Sequence, residues 1–128
     1  MACRSRVKVT YKKGKPDKLE LVCDGDCPDK KTCEPTPKDV DPKKLTRQFC
    51  ACPDAVEPVG CHIVLYTDPT KNPKKPDVYF QCEGNKCNAK ETCAPAAVEH
   101  EVGKDGVPTM ILFECSCLTA DKVFPPPK

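Results

Sequence analysis

Cysteine is the residue type in this chain best equipped for chemistry, and the spacing of the twelve decides which chemistry. They fall as Cys3, Cys23, Cys27, Cys33, Cys50 and Cys52, then Cys61, Cys82, Cys87, Cys93, Cys115 and Cys117. The two sets read C-x19-C-x3-C-x5-C-x16-C-x-C and C-x20-C-x4-C-x5-C-x21-C-x-C. Soft metals are held by deprotonated thiolates, usually in closely spaced Cys-x2-Cys pairs. That spacing is absent, and only His62 and His100 offer imidazoles. A redox thiol also favours Cys-x-x-Cys, at a helix start. Structural disulfides are the chemistry the pattern favours, with a thiolate metal-binding protein as a secondary alternative and no cofactor expected.

Composition agrees. Twelve cysteines in 128 residues, with no Trp and 15 Pro, is the make-up of a disulfide scaffold. Few large apolar side chains remain to fill a core, so covalent staples must supply part of the stability. Such cysteine usage belongs to an oxidising compartment: the extracellular space, a periplasm or the ER lumen. The opening Met1-Ala2-Cys3-Arg4 has no apolar leader, so Met1 reads as an added start on a processed sequence. No apolar run approaches the ~20 residues of a membrane helix, and no membrane insertion is expected.

The two cysteine sets are copies of one unit. Lys15-Pro16-Asp17 answers Lys75-Pro76-Asp77, and Lys30, Thr32-Cys33 and Pro35 answer Lys90, Thr92-Cys93 and Pro95. This divides the chain into a six-cysteine module at 1–53, a proline-bearing connector at 54–60, a second module at 61–120 and a tail at 121–128 that is polyproline-like at Pro125-Pro126-Pro127. The connector is short enough to keep the modules close.

Alternation supplies the strands that position the cysteines. Cys3–Lys12 reads Cys, Ser, Val, Val, Tyr on one face and Arg, Arg, Lys, Thr, Lys on the other. A turn at 12–17 returns it through Lys18–Cys23, and His62–Thr67 with Val78–Cys82 repeats the hairpin. Third strands are expected at Leu45–Cys52 and Thr109–Leu118, each beside strand one of its own module. Residues 35–42 and 95–106 read as loops because Pro and Gly interrupt them. A single helical turn is expected near Asp29–Cys33 or Asn88–Cys93. The fold class is therefore small, disulfide-rich and mainly β: two tandem modules, each an antiparallel sheet of about three strands with about three disulfides. Residues one apart in a strand share a face and are poorly placed to bridge each other. Cys50 and Cys52 should thus reach different partners among Cys3, Cys23, Cys27 and Cys33, with all bridges inside modules.

Other candidate sites compete with plainer readings. The basic face Arg4, Arg6, Lys8 and Lys12 suits an acidic glycan, or is simply a solvated face that blocks edge aggregation. Module two replaces it with His62, Val64 and Tyr66, a more apolar face suited to burial against a neighbour. Asp24, Asp26 and Asp29 around Gly25 offer hard oxygen ligands for calcium. The matching Glu83-Gly84-Asn85-Lys86-Cys87-Asn88 does not preserve them, and Asp and Gly are ordinary turn residues. Net charge is +2, split as +3 over 1–58 and −1 over 59–128, too even to call for a nucleic-acid partner. No nucleophile elbow, zinc-protease helix or phosphate loop is present, and neither histidine has a nucleophile partner, so no enzyme is expected. The best reading is a secreted interaction or structural module, acting through a protein partner or self-association. The runner-up is a protease inhibitor presenting Lys30-Lys31 and Lys90-Glu91 in constrained loops. Intact-mass measurement tests the common premise: the untreated protein should weigh twelve hydrogens less than the reduced one, and a free-thiol titration near twelve would reject it.

Overall fold

The computed structural model describes residues 3–53, 55–84 and 87–119. The Pro125–Pro127 tail expected to be extended lies outside them. The described residues form eight strands: β1 (Arg4–Lys12), β2 (Lys15–Asp24), β3 (Glu34–Thr36), β4 (Thr46–Ala51), β5 (His62–Asp68), β6 (Asp77–Glu83), β7 (Glu91–Val102) and β8 (Pro108–Thr119). All strand pairs are antiparallel. Turn chemistry sets the first hairpin: Lys13 and Gly14 both take positive φ, 55° and 78°, as a two-residue hairpin turn requires. No helix of the described residues is long and apolar enough to cross a membrane.

The expected class, a small disulfide-rich β protein, is what the chain adopts, but its sheets are wider and differently composed. One sheet has the order β2-β1-β8-β7 and the other β3-β4-β5-β6. Each therefore joins the hairpin of one half to the last strands of the other. The third strand does lie beside a strand one, but the one belonging to the opposite half: β8 pairs β1, with Val7 opposite Phe113, and β4 pairs β5, with Thr46 opposite Thr67. Alternation specifies which face a strand buries, and two similar hairpins present similar edges, so it leaves the neighbour open.

The extra strands come from segments read as loops. Pro35 lies opposite Cys50 in β3, and Pro95 lies opposite Cys115 in β7. Both strands are sheet edges, where a missing amide donor is tolerated. β7 continues through the proline-free 96–102 to Val102, whereas β3 stops before Pro37. Among the described residues the only helical turn is at Pro28–Lys30, and it is irregular, with Asp29 and Lys30 at φ 58° and 59°. Near Asn88 there is instead a tight turn, closed by the Glu91 amide on the Asn88 carbonyl at 2.9 Å.

The sheets face each other around one core. Val7, Val9, Ile63, Leu65, Phe113 and Cys115 are its buried centre, drawn from both halves, with Leu19, Leu21, Phe80 and Ile111 packed against it. The rings of Phe80 and Phe113 meet across the sheets at 5.3 Å. The bridges are Cys3–Cys33, Cys23–Cys50 and Cys27–Cys52, then Cys61–Cys93, Cys82–Cys115 and Cys87–Cys117. The order of pairing is the same in each half, and Cys50 and Cys52 take different partners. Cys23–Cys50 ties β2 to β4 and Cys82–Cys115 ties β6 to β8, each joining one sheet to the other, while each of the remaining four bridges involves at least one residue just outside the strands. All sit at one end of the sandwich; the hairpin turns sit at the opposite end.

A core shared this way should unfold as one unit. Phe113→Ala is expected to lower stability by about 3–5 kcal/mol and to weaken amide protection in β1 and β5 as well as β8. Two separate melting transitions for the halves would refute the shared core.

Candidate functional site

The connector leaves β4 at the cystine end and must cross to β5, and a polar network forms where it crosses. Arg47 lies on β4 opposite Tyr66 of β5, on the face of that sheet away from the core. Its guanidinium reaches both Glu57 of the connector and Glu83 at the end of β6. One Nη donates to Glu57 Oε1 at 2.6 Å and Nε donates to Glu83 Oε1 at 3.1 Å. The Tyr66 hydroxyl also donates to Glu83, and the Tyr66 ring stacks on Tyr79 at 5.2 Å. His62 completes the cluster, with Nε2 3.0 Å from Glu57 and Nδ1 2.7 Å from the Gly60 carbonyl. Gly84 is required beside it: at φ 86°, a Cβ there would stand 2.1 Å from the Gly60 oxygen.

Charge pairing shifts these groups. The hydrogen bonds from Arg47 hold the Glu57 carboxyl down at about 2, and Arg47 likewise lowers Glu83. Arg47 is raised above its ordinary value by its bonds to Glu57 and then Glu83. Burial, followed by the bond to Glu83, raises Tyr66. The network does not resemble a catalytic centre. Both ring nitrogens of His62 are engaged, so neither is free to take a proton from a nucleophile. It is a clamp. Val64, between His62 and Tyr66 on that face, is fully buried, and His62 and Tyr66 are both engaged by the clamp, so the apolar face expected to meet a neighbour is largely taken up within the chain. Sequence reading missed Arg47, Glu57 and Glu83, which come from three separate segments; the one available signal was a lone charge in the apolar β4.

The expected site residues are dispersed. Arg4, Arg6, Lys8 and Lys12 do share one face of β1, but carboxylates interleave them: Asp24 is opposite Arg4, Glu20 is opposite Lys8, and Glu114 pairs with Arg6 at 3.2 Å. Asp24 ends β2, Asp26 bridges to Thr32, and Asp29 sits in the irregular turn. Among the described residues no three carboxylates come within 4.8 Å of one another. Lys30 is held at positive φ, and Lys90 and Glu91 lie at the turn into β7.

Sulfur is where side chains do converge. Cys3, Cys27 and Cys52 lie within 4.8 Å of one another, as do Cys23, Cys33 and Cys50, and Cys61, Cys87 and Cys117. Each triad is one whole disulfide plus one sulfur of its neighbour, so in the first half three bridges stack in a row. No free cysteine occurs among the described residues, and these sulfurs present no thiolate to a metal. Beside the stack, a cleft of about 370 Å3 is lined by Pro28, Ala51, Cys52, Ala55, Val56 and Pro58.

The clamp makes stability depend on acid. With its folded-state value near 2 against an ordinary 4.5, Glu57 binds fewer protons folded than unfolded. Its contribution is whole above about pH 4.5 and is lost as pH falls toward 2. Glu57→Gln should cost about 1 kcal/mol at pH 7, given side chains about a third exposed, and should flatten the fall in melting temperature between these limits. An unchanged acid profile would show that the clamp contributes nothing. Comparison with family models, with curated proteins and with solved structures finds no match to this chain.

Proposed function

We propose that this is a secreted, non-catalytic repeat protein that recognises a protein partner or a second copy of itself by adding a strand to the edge of β6. The secreted setting rests on the six disulfides, which require an oxidising compartment. The supporting observation is the unguarded edge. β6 closes its sheet, and its sequence Asp77-Val78-Tyr79-Phe80-Gln81-Cys82-Glu83 contains no Pro or Lys. The other edges carry the devices that deter pairing: Pro16 and Lys18 in β2, Pro35 in a three-residue β3, and Pro95, Glu99 and Glu101 in β7.

An added strand would find a preorganised ladder, because β6 is fixed to the frame by Cys82–Cys115 and by Glu83 in the clamp. Rigid presentation reduces the ordering cost of binding. Two copies of β6 paired antiparallel would form a closed two-fold dimer. Light scattering across a concentration series tests the reading. A Gln81→Lys change, which sets like charges across a self-paired edge, should weaken association roughly fivefold. A parent protein that stays monomeric throughout and captures no partner through this edge would reject it.

A further inference from the structure

We propose that the loop end of the sandwich is a docking surface for an acidic polysaccharide bearing sulfate or carboxylate groups. This surface adjoins the start of β6, whose Asp77 and Val78 line its groove, but it does not depend on strand addition along that edge. The antiparallel register brings four connections to that end: residues 12–18, 41–45, 68–77 and 102–108. Gly14 lies against Val107, and a cleft of about 510 Å3 separates Pro16 and Lys18 from Lys75 and Pro76. The two Lys-Pro-Asp motifs, 60 residues apart in sequence, thus face each other across one groove.

These four connections hold ten of the eighteen lysines against five aspartates, a local charge of +5; the rest of the chain, with eleven cations and fourteen anions, carries −3. Three of the five aspartates are occupied in shaping the loops, while Asp17 and Asp77 line the groove itself. Asp41 accepts from the Lys43 amide, Asp68 from the Thr70 amide and hydroxyl, and Asp105 from the Val107 amide. The lysines are not so engaged. All ten are exposed; Lys18 pairs with Glu20 and Lys71 acts on Asp68. Lys12, Lys13, Lys15, Lys43, Lys44, Lys74, Lys75 and Lys104 form no ion pair among the described residues.

Lysine is a strongly hydrated point charge on a flexible stem, suited to following a repeating anion without reading its shape. The leading turns, Lys12-Lys13-Gly14-Lys15 and Lys71-Asn72-Pro73-Lys74-Lys75, carry no large apolar side chain to insert into a lipid surface. A polyanion in the oxidising compartment set by the disulfides is the fitting partner, and it would bind largely through release of its counterions.

The test uses the full-length protein and heparin fragments as the probe, with affinity measured over a salt series. The parent should bind at ~50 mM salt and weaken steeply as salt rises. Lys12→Gln/Lys15→Gln/Lys75→Gln should lose tenfold or more, with the salt slope reduced by roughly two. Arg4→Gln/Lys8→Gln/Lys90→Gln removes the same net charge from the rest of the surface and should bind nearly as the parent does. Unchanged melting temperature and intact mass deficit establish that both triples fold. No binding by the parent, equal loss in the two triples, or tighter binding to phosphatidylserine vesicles than to heparin would each overturn the proposal. Gln81→Lys should retain heparin affinity whatever it does to self-association, which keeps failure at the edge distinct from failure here.

Discussion

Six disulfides gathered at one end of two packed sheets, two of them joining strand to strand across the core, are the constraint on which the rest of this structure depends. Sheets packed face to face ordinarily lie about 10 Å apart, yet the bridged Cα atoms are 5.4–5.6 Å apart. The sandwich is therefore pinched at its cystine end. Residue sizes follow that taper. Ser5, Ala51 and Ala94 stand near the bridges, and the Ser5 hydroxyl there accepts the Cys50 amide from the other sheet at 2.7 Å. Val9, Leu65, Phe80 and Phe113 fill the core between the sheets. A chain with four Phe, three Tyr and no Trp can fill a wedge of this kind more readily than a parallel-sided slab.

The exchange of last strands between halves follows from the same inventory. One hairpin has one apolar face and needs a second sheet to cover it. If each half kept its own third strand beside strand one of its own hairpin, Cys23 and Cys50 would sit on strands flanking strand one, roughly 10 Å apart and beyond the reach of a bridge. Crossing over places Cys23 and Cys50, and likewise Cys82 and Cys115, on facing sheets, where inward-pointing side chains can meet. Each half then stitches the two sheets together, and neither sheet is complete without both halves. The clamp of Arg47, Glu57 and Glu83 sits where the connector joins the neighbouring strands β4 and β5, so its charges fix the path of that connection.

Much of this was legible in the residues, and the illegible parts have physical causes. Alternation located β1, β2, β4, β5, β6 and β8, because a half-buried strand writes its period into the sequence. It could not name strand neighbours, since the edges of β1 and β5 are alike in pattern. β7 was obscured by Pro95, a residue that breaks helices and central strands but suits the edge position it occupies. Arg47 was obscured for a different reason: ion pairs between distant segments leave no local signature.

The two halves depart from each other most between the fourth and fifth cysteines, where 16 residues in one answer 21 in the other. β7 uses its extra length to pair with β8 as far as Val102, whereas β3 pairs only the end of β4, from Glu34 opposite Ala51 to Thr36 opposite Phe49. The outer edge of β4 over Thr46–Gln48 is left without a strand, and the loop before it takes over. The Thr46 hydroxyl accepts the Asp41 amide at 2.8 Å, and the Gln48 side chain donates to the Pro37 carbonyl at 2.9 Å. Buried polar side chains thus replace ladder bonds that prolines 37 and 42 cannot supply, and no buried side-chain polar atom among the described residues lacks a partner. Edge protection was reached differently in the two halves: by a long, charged strand in one and by a proline-braced loop in the other. β2 relies on Pro16 and Lys18 instead, and β6, paired on one side alone, has none of these devices.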